Sequence, residues 1–178
     1  APFNEVSSVV FDPVVNINAE WIALNPFAYS KKGAKKVYFN TEGQFWGETL
    51  DGIRLSVQMA KSKGLKVFIK PHVWIIGAGW PGDYTLNTEE EWQVWEKDYA
   101  AYILAFATIA AEENVEMFSI GNEYKKAVAE RPEFWIKLIE EVRKIYAGKI
   151  TYCANWDNYE NICFWDQLDY ISLSAYFP

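Results

Sequence analysis

With 178 residues, the chain has room for one ordinary domain with a sizeable core. Apolar residues at 51% and charged residues at 23% exclude a disordered chain. A net charge of -7, from 17 basic against 24 acidic residues, argues against nucleic acid as a partner.

A single histidine and two cysteines exclude most zinc sites and disulfide scaffolds. The longest apolar stretch, Tyr102 to Ala111, is too short to span a membrane, so no membrane partner is expected. Cys153 and Cys163 read as two reduced, part-buried thiols rather than a disulfide. Ala1-Pro2 opens no basic and apolar leader, and the compartment stays open. The distinctive quantity is the aromatic load of 9 Trp, 11 Tyr and 11 Phe. Flat rings suit a packed interior or stacking on the apolar faces of sugars, and composition does not choose between them.

In chain order, Trp21–Phe27 is a short apolar run containing a proline and reads as a strand. Glu48–Lys63 carries Leu50, Ile53, Val57 and Ala60 at helical spacing, and Gly64 stops it. Leu65–Val73 is the next strand. Thr88 followed by three glutamates opens a helix running to about Glu113. Val115–Ile120 is a strand leading into Gly121-Asn122-Glu123. Pro132 opens a helix that Gly148 closes. Ile150–Ala154 and Tyr170–Ala175 are further strands, with a helical turn near Asn161–Gln167 between them. The basic stretch Ser30–Lys36 reads as a solvated loop.

Strands alternating with helices predict a parallel sheet, and no nucleotide-binding glycine motif follows any strand. Strand parity narrows the fold. Val67 and Ile69 share one face while Phe68, Lys70, His72 and Trp74 share the other. Phe118 and Ile120 oppose Ser119, Gly121 and Glu123; Ile171, Leu173 and Ala175 oppose Ser172, Ser174 and Tyr176. An aliphatic face under helices and a small or polar face lining an interior fit an α/β fold of the (β/α)8 TIM-barrel type. A complete barrel typically needs about 250 residues, so this single domain, spanning residues 1–178, is expected to be an incomplete barrel.

Ligands of parallel α/β folds sit where strands end. Here the ends carry Asn25 and Phe27, His72 and Trp74, Asn122 and Glu123, Asn155, Trp156 and Asp157, and Tyr176. Glu123 is the leading candidate: a carboxylic acid half-removed from water suits general-acid work. The plainer role is stabilising the start of the next helix. Asn122 fits a sugar hydroxyl or a turn cap. His72 fits substrate hydrogen bonding, acid/base work or a satisfied core position. Trp74, Trp80 and Trp156 suit stacking on sugar rings, whereas Trp21, Trp92, Trp95 and Trp135 read as packing residues. Asp157 and Glu48 read as solvated or capping carboxylates.

The runs WIALNPFAY (Trp21–Tyr29), WGETLDG (Trp46–Gly52), IKPHVW (Ile69–Trp74), FSIGNEY (Phe118–Tyr124), TYCANWD (Thr151–Asp157) and FWDQLDYI…AYFP (Phe164–Pro178) resemble glycoside hydrolase family 113 in order and spacing. The resemblance implies a (β/α)8 barrel of the large retaining-glycosidase clan, with β-1,4-mannan or manno-oligosaccharides as substrate and no cofactor or metal. It implies that Glu123, after Asn122, is the acid/base and that Tyr176 orients the nucleophile. It puts His72 and Trp74 on the substrate side of strand three, and Asn25, Asn155 and Trp156 remain candidate sugar contacts. On this count the chain holds strands two to six. The clan's nucleophile, a glutamate ending strand seven, lies outside the sequence. Retention needs two carboxyl groups about 5–5.5 Å apart, so residues 1–178 alone are expected to be inactive. Their open sheet edges are expected to favour self-association. The alternatives are a non-catalytic carbohydrate-binding barrel and a retaining glycosidase of the same clan with another sugar preference.

Overall fold

The computed structural model describes residues 7–77 and 80–176. The two expected N-terminal strands are each broken at a proline, because proline lacks the N–H that a sheet ladder needs. Trp21–Phe27 resolves into β1 (Trp21–Leu24) and the start of β2 (Phe27–Lys31). Leu65–Val73 resolves into β3 (Lys66–Ile69) and the start of β4 (His72–Ile76). Ser30 and Lys31, read as the start of a loop, therefore belong to β2.

The breaks at Pro26 and Pro71 face one another: Leu24 pairs with Ile69 before them and Phe27 with His72 after them. Lys70 N–H donates to the Leu24 carbonyl at 2.8 Å, and His72 N–H to that of Pro26 at 3.2 Å. From the helical layer, the buried Tyr102 hydroxyl donates to the Pro26 carbonyl at 2.5 Å and lies 3.3 Å from that of His72. The polar groups freed at the breaks are thus satisfied in the interior, as buried backbone requires.

The main sheet continues with β5 (Met117–Asn122), β6 (Lys149–Asn155) and β7 (Tyr170–Ser174). Its order is β1-β3-β5-β6-β7 and every pairing is parallel; β2 and β4 form a second, two-stranded parallel sheet. The five-stranded sheet with its helices is an incomplete TIM barrel.

The helices are α1 (Asp12–Asn16), α2 (Leu50–Ser62), α3 (Glu89–Glu112), α4 (Lys125–Glu130) and α5 (Pro132–Ile145). Sequence patterning missed α1 and α4, which are too short to show a period. Thr49 caps α2 by accepting from Gly52 N–H at 3.2 Å. Thr88 and Glu91 form a reciprocal capping box on α3. α5 ends at Ile145, before Gly148, and the turn near Asn161–Gln167 is two 3-10 turns, Tyr159–Asn161 and Trp165–Gln167. Among the described residues, no helix is long and apolar enough to cross a membrane.

The core joins the helices to the back of the sheet. Trp135, Leu138, Ile139 and Val142 form the buried stripe of α5. Trp135 meets Tyr99 of α3 at 5.4 Å and Tyr152 of β6 at 5.5 Å between ring centroids. Trp92, Trp95 and Trp135 are buried as read. Trp21 is instead exposed on the edge strand, with the Lys66 ammonium 5.5 Å from its ring centroid. Both cysteines are free; Cys153 is buried, but Cys163 is exposed rather than part-buried, lying in the β6–β7 connection. The outer strands are β1 and β7. Ile171 and Leu173 pair with the buried Tyr152 and Ala154 yet are 61% and 39% exposed. Their aliphatic face has no covering helix among the described residues.

Candidate active site

The site begins with an irregularity in β5. Ser119 pairs with Thr151, but the next registered pair is Asn122 with Cys153, so the ladder shifts at a bulge. The buried Ser119 hydroxyl holds it, donating to the Gly121 carbonyl at 2.7 Å. Gly121 is required there: a Cβ would fall 2.8 Å from Trp135 Cζ3 and from the Tyr99 hydroxyl. The aromatic core thus presses directly on the backbone that presents Asn122 and Glu123.

Glu123 adopts φ +60°. The other non-glycine residues at positive φ among those described are the asparagines 18, 40 and 114. A glutamate in this region costs backbone energy and persists only where its surroundings impose it, a pattern concentrated at functional sites. Here β6 imposes it: Glu123 N–H donates to the Cys153 carbonyl and Tyr124 N–H to the Tyr152 hydroxyl, both at 2.8 Å. Tyr124, at φ -79° and ψ 65°, then closes an inverse γ-turn in which Lys125 N–H donates to the Glu123 carbonyl at 2.9 Å.

The Glu123 side chain is half-buried, and its Oε2 accepts from the Trp80 indole N–H at 3.1 Å. The indole lies across Gly82, where any Cβ would fall 2.2 Å from the ring. The segment carrying it is fastened to α4 by Asp83–Lys126 at 3.0 Å and by Thr85 donating to Glu130 at 2.7 Å. Sequence reading gave Trp80 a stacking role, and its hydrogen bond to the acid was missed. The available signal was the following Pro81-Gly82, a turn able to lay a large ring over bare backbone.

Asn122 is buried, and its amide Nδ2 donates to His72 Nδ1. Burial pushes the His72 imidazole below its ordinary value; Glu123 opposes this and Lys70 adds to it. Burial therefore favours the neutral ring. His72 also meets the Phe27 ring edge-on at 5.3 Å. The Asn122 carboxamide oxygen is buried and has no hydrogen-bond partner among the described residues.

His72, Asn122, Glu123 and Trp80 thus form one contiguous cluster. The other candidates lie around it. Trp74 is half-exposed on β4, Asn25 is exposed at the first proline break, and Trp156 is half-buried after β6. Asn155 donates to Asp157, which also pairs with Lys125 at 2.9 Å. Glu48 accepts from the Tyr29 hydroxyl at 2.8 Å. Tyr176, just beyond β7, is 77% exposed. A concavity of about 790 Å³ between α3 and α5 is remote from this cluster, and its Arg131 is already paired with Glu89 and Glu96.

A carboxyl group on a barrel strand end, bonded by an indole and next to an amide–imidazole pair, is the kind of arrangement that (β/α)-barrel glycoside hydrolases use. The family model for Glycoside Hydrolase Family 113 matches residues 5–178, and the chain belongs to that family. It is similar to the family 113 β-mannanase AaManA from Alicyclobacillus acidocaldarius, with 27% identity and a TM-score of 0.88, covering 96% of this chain and 55% of that one. A family 113 β-1,4-mannanase solved as a complex is 31% identical, with a TM-score of 0.83, covering 96% of this chain and 56% of that one. The chain thus spans little more than half the length of these mannanases. The family 53 catalytic domain from Ignisphaera aggregans, 19% identical with a TM-score of 0.59, shares the fold. No curated protein matches the chain.

Proposed function

We propose that the chain carries the acid/base half of a retaining glycoside hydrolase that cleaves β-1,4-mannan or manno-oligosaccharides. The observation that carries the reading is Glu123, held at positive φ by two β6 hydrogen bonds and oriented by the Trp80 indole. In this reading Glu123 protonates the glycosidic oxygen as the bond to C1 breaks, then takes the proton of the water that attacks C1. Neutral His72 offers its Nε2 proton to a sugar hydroxyl, and the Asn122 oxygen accepts from another. Asn25, Asn155, Trp74 and Trp156 contact the sugar chain around them. The nucleophile is a carboxylate from a part of the barrel beyond these five strands, with Tyr176 orienting it. The mannan preference rests on the two mannanase relatives.

The test is hydrolysis of β-1,4-mannan by residues 1–178 and by a version completed to the length of the family. The completed protein is expected to release manno-oligosaccharides, and Glu123→Gln to lower kcat/KM by about 10²–10⁴-fold; the 178-residue chain is expected to release none. Mannan hydrolysis by the completed protein that is indifferent to Glu123→Gln overturns the assignment, and turnover confined to a different glycan overturns the substrate.

A further inference from the structure

We infer that Tyr152 is a positioning residue of the acid step: its buried hydroxyl, acting through the Tyr124 amide, holds Glu123 on the leaving-group side of the glycosidic bond. The inference deepens the glycosidase reading and rests on it.

Tyr152 lies on the helix-facing side of β6 and is 1% exposed. Its ring packs against Trp135, Phe164 and Trp165, with centroids 5.5, 5.7 and 6.2 Å away. A phenylalanine would fill the same space. A hydroxyl carried into a nest of rings costs free energy unless it is bonded, and this one accepts from Tyr124 N–H at 2.8 Å. The amide in turn depends on the phenol. Tyr124 stands between the end of β5 and the start of α4, and the first N–H groups of a helix find no carbonyl within it. Tyr124 is itself 1% exposed, so water does not replace the phenol.

Tyr124 is thus fixed at two points. Its ring sits among Trp95, Tyr99 and Trp135, at 5.4, 5.4 and 6.1 Å between centroids, and its N–H is held by Tyr152. The peptide group that carries this N–H also carries the Glu123 carbonyl. The preceding peptide group carries Glu123 N–H, which donates to the Cys153 carbonyl at 2.8 Å. Two consecutive residues of β6 therefore grip both peptide groups that flank the Glu123 Cα, and so set the direction of its Cα–Cβ bond. Glutamate at φ +60° is costly. With one grip released, the backbone relaxes toward negative φ and the side chain swings away from the Trp80 indole that bonds its Oε2 at 3.1 Å. Proton transfer is sensitive to such a shift, since a misplacement of about 1 Å costs up to about 10²-fold in rate. The Cys153 grip is main chain and survives substitution; the Tyr152 grip is a single hydroxyl.

The test is the leaving-group dependence of kcat/KM in the completed protein, with an unsubstituted manno-oligosaccharide and a dinitrophenyl β-manno-oligoside as substrates. A sugar alkoxide needs the proton of Glu123 as its bond to C1 breaks, whereas a dinitrophenolate leaves without one. Tyr152→Phe keeps the ring and removes the hydroxyl. It is expected to lower kcat/KM about 10- to 100-fold on the oligosaccharide and less than about twofold on the dinitrophenyl substrate. Retained turnover of the dinitrophenyl substrate shows that the variant is folded. Equal losses on the two substrates, or none on either, overturn the inference and leave Tyr152 a packing residue. Glu123→Gln, assayed alongside, separates this inference from the reading it rests on. A loss confined to the oligosaccharide in Glu123→Gln but absent from Tyr152→Phe upholds the acid and overturns the positioning role. A Glu123→Gln variant that treats both substrates alike overturns both.

Discussion

Trp95 and Trp135 on the helical side are fully buried, whereas Trp80 and Trp74 at the strand ends stand half-buried and half-exposed. The first pair is surrounded by rings: Trp95 stacks on Tyr99 at 4.8 Å, and Trp135 on Phe164 at 6.2 Å. The second pair is placed by specific partners, Glu123 for Trp80 and the Tyr29 register for Trp74. One residue type thus does two jobs in one chain. Packing fixes the core tryptophans through many weak contacts, while a single directional bond or strand register sets those near the site. The two regions meet at Gly121, where core rings abut the strand that delivers Glu123.

The largest expected effect that sharpens this contrast is at Trp135. Trp135→Ala empties a site lined by Tyr99, Tyr152 and Phe164 and should cost about 3–5 kcal/mol in denaturant unfolding. A loss near that of an exposed position would break the distinction between the two groups.

A smaller effect is expected where β7 docks. Burial pushes the Asp169 carboxyl up, but Ile150 N–H, Arg143 and Lys149 outweigh it and hold the group at about 2. These contacts, at 2.9, 2.7 and 2.9 Å, tie β6 and β7 to α5. A carboxyl depressed in the folded state adds stability that is complete above its unfolded value near 3.8 and is lost as pH falls through about 2. Asp169→Asn should cost about 1–2 kcal/mol at pH 7, and that difference should shrink toward pH 2. An offset constant from pH 7 to pH 2 would show that the carboxylate's charge is not what holds the strand.

The smallest stability effect is expected at Trp80. Trp80→Phe keeps most of the ring and removes the indole donor, so unfolding should shift by less than about 0.5 kcal/mol. If the indole orients Glu123, the completed enzyme should lose about tenfold in kcat with KM changed less than about twofold. Equal changes in kcat and KM, or a large loss of stability, would return Trp80 to the packing group.

Much of this architecture was legible locally. The start of α3 after Thr88, the glycine after α2 and Pro132 opening α5 each lie within a few residues of sequence, where capping chemistry acts. Gly121-Asn122-Glu123 at the end of an apolar run was readable for the same reason. Strand parity separated the buried Val67 and Ile69 of β3 from Phe68 without any contact information, but the β5 bulge turns Gly121, read as interior, toward Trp135 and Tyr99, and the aliphatic face of β7 has no covering helix among the described residues.

The remainder depended on distant segments. Trp80 and Glu123 are 43 residues apart, and Asn122 and His72 are 50 apart. That Pro26 and Pro71 would break neighbouring strands at facing positions, and that Tyr102 would fill the gap, required the register between β1 and β3. The sequence alone determined the strand–helix alternation of the main sheet, where the long helices α2, α3 and α5 start and which strand end bears Glu123, since each is set by neighbours along the chain. The tertiary structure decided which rings pack, which meet the acid and which stay bare, because only the packed sheet brings partners from distant strands within hydrogen-bonding reach.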